Sequence, residues 1–115
     1  MSQSPVENVV IQARTALAQF ELSGQKVVDE LVVGLAWAIL EPKTNRSLAE
    51  QAVRNTGLGD VEDKIIKNHR KTLGLLRDLK NAPSVGIIRE IQDQGLVEIA
   101  RPVGVVGAVT PSTNP

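Results

Sequence analysis

Cysteine is absent from the 115 residues. No disulfide scaffold, thiolate zinc site or cysteine nucleophile can therefore be built within them. Aromatic residues are nearly absent too: Phe20 and Trp37 are the whole complement, 2% of the chain, with no tyrosine. Stacking platforms for single-stranded nucleic acid and aromatic cages for quaternary amines need more rings than that. Net charge is also lacking, with 13 basic residues against 13 acidic ones, so no overall field draws the chain to nucleic acid or a membrane. The longest strongly apolar run, LVVGLAWAIL at 31–40, falls well short of the ~20 residues of a membrane span and directly follows Asp29 and Glu30. MSQSPVENVV has no basic stretch leading into an apolar one, so it does not read as a secretion signal. These absences describe a soluble, cytoplasmic chain of one small domain, without a metal site and without nucleic-acid or membrane partners.

What is present reads first as helix. Ser4 before Pro5 is a start signal, because the hydroxyl accepts an orphan backbone N–H and proline's fixed φ suits the first helical position. Val6, Val9, Val10, Ala13, Leu17 and Phe20 then share one face, and Ser23-Gly24 ends the helix. A second helix is expected over 25–41, closed by Pro42. Its apolar residues nearly encircle it, which predicts the central helix of a bundle with Trp37 in the core. A third, over 44–55, ends at Gly57, and Asp60 caps a fourth that closes at Ala82-Pro83. This fourth helix carries Glu62 and Asp63 first and Lys64, Lys67, Arg70, Lys71, Arg77 and Lys80 later, the order its macrodipole favours. KIIKNHRK within it reads as a solvated, dipole-matched face rather than a phosphate patch. His69 has no companion His or Cys for a metal and no serine placed as a nucleophile.

After Pro83 the period changes to two. SVGIIREI, the turn QDQG and LVEIARP read as a β-hairpin, in which Val97 and Ile99 alternate with Glu98 to give an apolar and a polar face. Residues 103–109, GVVGAV among them, are apolar without alternation, as in a strand covered on both sides of a parallel sheet. Such a strand needs neighbours reached through crossovers of a dozen or more residues. Asn114-Pro115 looks like an N-cap and first helical position, so the expectation is the N-terminal part of a larger α/β protein. Ligands in such sheets bind beyond the carboxyl ends of the strands, where TPSTNP falls. Gly104 and Gly107 form a G-x-x-G that permits close packing and is not the dinucleotide fingerprint. A different class of reading is a non-enzymatic helical interaction module that pairs with a partner through its C-terminal strand.

TGLGDVEDKIIKNH (56–69) and RPVGVVGAVTPSTNP (101–115) resemble the N-terminal segment of the aldehyde dehydrogenase superfamily, in its CoA-acylating branch of acetaldehyde, propionaldehyde and sulfoacetaldehyde dehydrogenases. GVVGAVTPSTNP is most similar to the sulfoacetaldehyde type. The resemblance implies an α/β fold: N-terminal helices, a β-hairpin and the first strand of a Rossmann-like parallel sheet, here as a truncated part of the aldehyde dehydrogenase fold. It divides the chain into a helical part of the cofactor-binding domain over 1–83, an oligomerisation-type hairpin over 84–101 and an incomplete first strand and turn over 102–115.

The implied parent is a homo-oligomeric oxidoreductase that uses NAD or NADP and takes coenzyme A as co-substrate. It oxidises a short aldehyde to its acyl-CoA through a cysteine thioester. This chain has no such cysteine and is expected to be inactive alone. The resemblance makes Thr110, Pro111, Ser112 and Thr113 cofactor contacts and Asn114 the oxyanion donor. An ungapped match sets Thr113 opposite the asparagine of non-acylating members, and a one-residue shift sets Asn114 there. Asn114 also reads as a helix cap, a role compatible with catalysis.

Overall fold

The computed structural model describes residues 4–111. Four helices precede a two-stranded antiparallel hairpin: α1 (Pro5–Phe20), α2 (Gln25–Leu40), α3 (Pro42–Thr56), α4 (Val61–Leu79), β1 (Gly86–Ile91) and β2 (Leu96–Ala100). Contacts divide the described residues into two compact units. One contains the chain up to Val28 together with Pro83–Ala108, and the other Asp29–Ala82 with 109–111.

In the first unit, α1 starts as its sequence predicts. Ser4 Oγ accepts from the Glu7 N–H at 3.2 Å, and Glu7 Oε2 accepts from the Ser4 N–H at 3.4 Å. This capping box satisfies two orphan donors reciprocally. At the start of α2, Gln25 holds the approach to β1. Its Oε1 accepts from the N–H groups of Ser84 (2.8 Å) and Val85 (3.1 Å), and its Nε2 donates to Ser84 Oγ (2.8 Å). The hairpin turns through a 3₁₀ turn (Gln92–Gln94) closed by Gly95.

Pairing runs Ile91 with Leu96, Glu90 with Val97, Arg89 with Glu98 and Ile87 with Ile99, so Ile88 is the extra residue of a β-bulge. Ile87, Val97 and Ile99 therefore share one face. The other face is not purely polar: Ile91 and Leu96 join the Arg89–Glu98 pair there, in which Arg89 Nε donates to Glu98 Oε2 at 3.0 Å.

In the second unit the boundary between α2 and α3 differs from the sequence expectation, because α3 begins at Pro42. Pro42 is its first residue and Glu41 its N-cap. The Glu41 carboxylate accepts from the Thr44 N–H (2.7 Å) and Thr44 Oγ1 (2.9 Å). The backbone N–H donors of Thr44 and then Lys43, followed by the Thr44 hydroxyl, hold the Glu41 pKa below its ordinary 4.5. A lowered folded pKa stabilises the fold above the unfolded value and is lost as pH falls through the folded one. Acid melting from neutral pH should therefore show a loss of stability that begins near pH 4.5 and grows below it, and Glu41→Gln should remove that component. Equal acid sensitivity in the two proteins would show that the cap is not the titrating group.

Gly57 ends α3 with φ 65, and its N–H donates to Val53 O. An L side chain at that φ meets its own backbone, which is why glycine closes the helix. Asp60 Oδ1 caps α4 by accepting from the N–H groups of Glu62 (2.8 Å) and Asp63 (3.2 Å).

α3 and α4 meet through small residues. Ala49 is 1% exposed and Ala52 is buried beside it, and residues of this size let two helix backbones approach closely. Asn45, 2% exposed, sits on the same stripe. Its Oδ1 accepts from Asn68 Nδ2 (2.8 Å) and its Nδ2 donates to the Ile65 carbonyl (3.2 Å), so no buried polar atom of the pair is wasted. Arg46 reaches Glu62 of α4 at 3.0 Å and Glu50 of its own helix at 3.9 Å.

One expectation is corrected. α2 is not buried all round: only Ala36 and Leu40 are buried, and Trp37, expected in the core, is 64% exposed. Burying a helix on every side takes neighbours on every side, and the described residues cover one narrow stripe. Residues 101–111, which include the strand expected over 103–109, are irregular among the described residues, with Val103 and Val109 exposed. A strand exists by its ladder, and the sheet of the described residues holds β1 and β2 alone.

Candidate functional site

The candidate turn is approached by residues 104–106, which run beside α1. Gly104, Val105 and Val106 line a shallow cleft of about 650 Å³ together with Ala13, Ala16, Leu17, Gln19, Phe20 and Ser23. The apolar periodicity of α1 thus supplies the surface along which the segment is laid. Gly104 has φ 107, a backbone conformation an L side chain rarely adopts, so the change of direction after Val103 requires glycine there.

Of the five predicted site residues, Thr110 and Pro111 are described, both exposed and in irregular backbone. Ser112, Thr113 and Asn114 lie outside the described residues. Pro111 lacks an N–H and biases Thr110 towards extended backbone. From 103 to 111 no side chain is charged and none is larger than valine. Such a segment can stand close to a phosphate or ribose without a bulky or anionic side chain in the way, and Thr110 offers one hydroxyl. It contains no acid or base for neutral pH and none that would activate the Thr110 hydroxyl as a nucleophile. His69, on α4, is exposed. Among the described residues no group of three or more His, Cys, Asp or Glu stands together to hold a metal ion.

A second concavity, which the sequence reading did not identify, lies in the second unit between α3 and α4. It has a volume of about 470 Å³. Its apolar wall is Ile39, Leu48, Ala49 and Ala52, and its polar wall includes Gln51, Asn55, Thr56, Lys64, Lys67 and Asn68. The basic run of α4 is therefore divided. His69, Arg70 and Lys71 are exposed as a solvated face should be, while Lys64, Lys67 and Asn68 are half-buried against α3. The signal was available in the spacing: 64, 67 and 68 fall on one helical face, opposite the 45, 49, 52, 56 stripe of α3.

Comparison with known proteins supplies relatives for almost the whole chain. It is 59% identical over 110 residues to a sulfoacetaldehyde dehydrogenase (acylating) of Cupriavidus necator, covering 96% of this chain and 22% of that protein. It is 36% identical over 110 residues to a succinate-semialdehyde dehydrogenase (acetylating) of Clostridium kluyveri, covering 96% of this chain and 24% of the relative. It is 38% identical over 102 residues to an aldehyde-alcohol dehydrogenase of Clostridium acetobutylicum, covering 89% of this chain and 12% of the relative. The chain thus spans about a fifth of the length of the sulfoacetaldehyde dehydrogenases it matches, 22% in each of three. No family model matches the chain, and no solved structure matches it.

Proposed function

Because the chain belongs to the CoA-acylating branch of the aldehyde dehydrogenases, we propose that it is the N-terminal part of an enzyme that oxidises a short aldehyde, sulfoacetaldehyde foremost, to its acyl-CoA in the cytoplasm. The observation that carries this reading is the 59% identity to an acylating sulfoacetaldehyde dehydrogenase over 96% of the chain.

In the whole enzyme residues 103–109 become the first strand of a Rossmann-like parallel sheet, and the turn after it faces the dinucleotide. The small, uncharged, exposed character of 103–111 fits that use. NAD or NADP, when bound, supplies the hydride acceptor, and coenzyme A takes the acyl group. Thr110, Pro111, Ser112 and Thr113 position the cofactor by packing and hydroxyl contacts. The Asn114 amide donates a hydrogen bond to the substrate oxygen as negative charge develops on it, the kind of donor that lowers the barrier because it is already oriented. The thiol that attacks the aldehyde comes from outside these residues, which hold no cysteine. The helices over 1–83 belong to the cofactor-binding domain. The hairpin over 84–101 serves contacts between identical subunits, a use its exposed Ile87, Val97 and Ile99 face suits.

The full-length protein should form NAD(P)H from sulfoacetaldehyde only when CoA is supplied, with sulfoacetyl-CoA identified by mass spectrometry. The 115-residue chain alone should form none. Absence of CoA-dependent turnover with sulfoacetaldehyde and with other short aldehydes would overturn the proposal.

A further inference from the structure

The hairpin cannot set its own direction. A two-stranded ribbon is only marginally stable in water, and the close-packed pairs of elements among the described residues are β1 with β2 and α3 with α4, so neither strand is laid firmly on a helix. At its base a cleft of about 630 Å³ is bounded by Phe20, Leu22 and Ser23 at the end of α1 and by Ile99, Ala100 and Pro102 at the end of β2. Side chains facing an open cleft lack the dense contacts that would fix an angle.

A carboxamide ties that base down. The ladder starts at Gly86 opposite Ala100, so the N–H groups of Ser84 and Val85 lie just outside it, and Val85 is half-buried, where an N–H needs an acceptor. Gln25 Oε1 accepts from both, at 2.8 and 3.1 Å, while its Nε2 donates to Ser84 Oγ at 2.8 Å. Two successive N–H groups converging on one oxygen, with a third bond from the same planar group, fix the position and the tilt of the segment entering β1. Gln25 is the first residue of α2, so the tie joins a helix start to the root of the ribbon across 59 and 60 residues of sequence. Just beyond, Gly86 has φ 75, and an added Cβ would meet nothing within 4 Å, so the chain turns there on backbone freedom alone. Without the tie the ribbon swings about this point.

We infer that Gln25 is the positioning residue of the hairpin: its carboxamide aims the exposed Ile87, Val97 and Ile99 face at a second copy of the chain. The inference rests on the reading of the hairpin as a subunit contact and adds the group that sets its angle. A ribbon already held at the angle of the contact loses less freedom on association, and the subunits bind more tightly for it.

Sedimentation velocity on the full-length protein over a concentration series reads the dissociation constant between subunits. Gln25→Met, which keeps the length and removes the carboxamide, should raise that constant about tenfold or more, with an assembly of parental size regained at high concentration. Gln25→Glu should stay within about threefold of the parent, because its carboxylate accepts from the same two N–H groups and the Ser84 hydroxyl rotates to donate to it. Val97→Glu, on the contact face, should dissociate the protein. A parental constant for Gln25→Met beside a dissociated Val97→Glu would overturn the role of Gln25 and leave the hairpin contact standing. Gln25→Glu as weak as Gln25→Met would overturn it by showing that the acceptor oxygen is not what matters. Gln25→Met unassembled at every concentration would overturn it by showing a loss of folding instead of a loss of aim. Intact assembly of Val97→Glu would overturn both readings of the hairpin together. Turnover is not among these readouts, so they stand apart from the test of the acylating reaction.

Discussion

Asn114→Ala in the full-length enzyme is expected to lower kcat for acyl-CoA formation by about 10² to 10³, the usual loss for one oxyanion donor. On the proposed role KM for the nicotinamide cofactor should change little, because the amide would act on charge that appears in the transition state and not on the bound cofactor. Asn114→Asp separates this role from that of a helix cap. Aspartate caps as well as asparagine does, but it cannot donate and it places a negative charge beside the developing one. It should therefore be as inactive as the alanine variant, or more so, with an unchanged melting temperature. Thr113→Ala should keep kcat within a few-fold. Steady-state kinetics on the three variants decide between the two registers: a large loss on Thr113→Ala with little on Asn114→Ala would assign the donor to position 113 instead.

Asn45→Ala should destabilise the second unit by about 1–3 kcal/mol in urea unfolding. Asn45 is nearly fully buried, and its amide satisfies both Asn68 Nδ2 and the Ile65 carbonyl. Truncation leaves Asn68 half-buried without that acceptor and opens a void beside Ala49. Replacing both amides, Asn45→Leu with Asn68→Leu, should recover part of the loss, since removing both polar partners costs less than stranding one. An Asn45→Ala protein within about 0.5 kcal/mol of the parent, the range of surface substitutions, would show that the amide pair is not what aligns the two helices.

The legible parts of this fold are those set by local chemistry. Ser4-Pro5, Gly57 and Asp60 mark helix ends because a cap is made by a residue and its neighbours within four positions, and the structure places all of them at caps. The hairpin was legible for the same reason: QDQG is a turn before anything else packs on it. Glu41 was missed because glutamate is not among the usual capping residues, so the third helix was read as starting two residues late.

Burial was harder to read, because an apolar residue states a preference and not a neighbour. Trp37 and the apolar girdle of α2 express that preference as strongly as Ala36 and Leu40, yet only the latter two are covered. For the same reason the uninterrupted apolarity of 103–109 predicts a strand without naming its ladder partner, and none stands beside it among the described residues. At the candidate site the family resemblance, more than any pattern of residue types, singled out positions 110–114. Lys64 and Lys67 were absorbed into a charged helix whose two faces cannot be told apart until α3 lies against one of them.

The extra residue at Ile88 also has a consequence for how this protein can change length. Around it β1 advances two positions while β2 advances one, so Ile87–Ile99 and Arg89–Glu98 stay matched across the irregularity. Excising Ile88 would leave every flanking partner opposite its present mate and merely straighten the ribbon. Removing Ile87 instead gives the same sequence, whereas a deletion between Arg89 and Ile91 would slide one strand past the other and turn its side chains inside out. The hairpin thus contains one place, the Ile87-Ile88 pair, at which evolution can add or remove a residue without rewriting the rest.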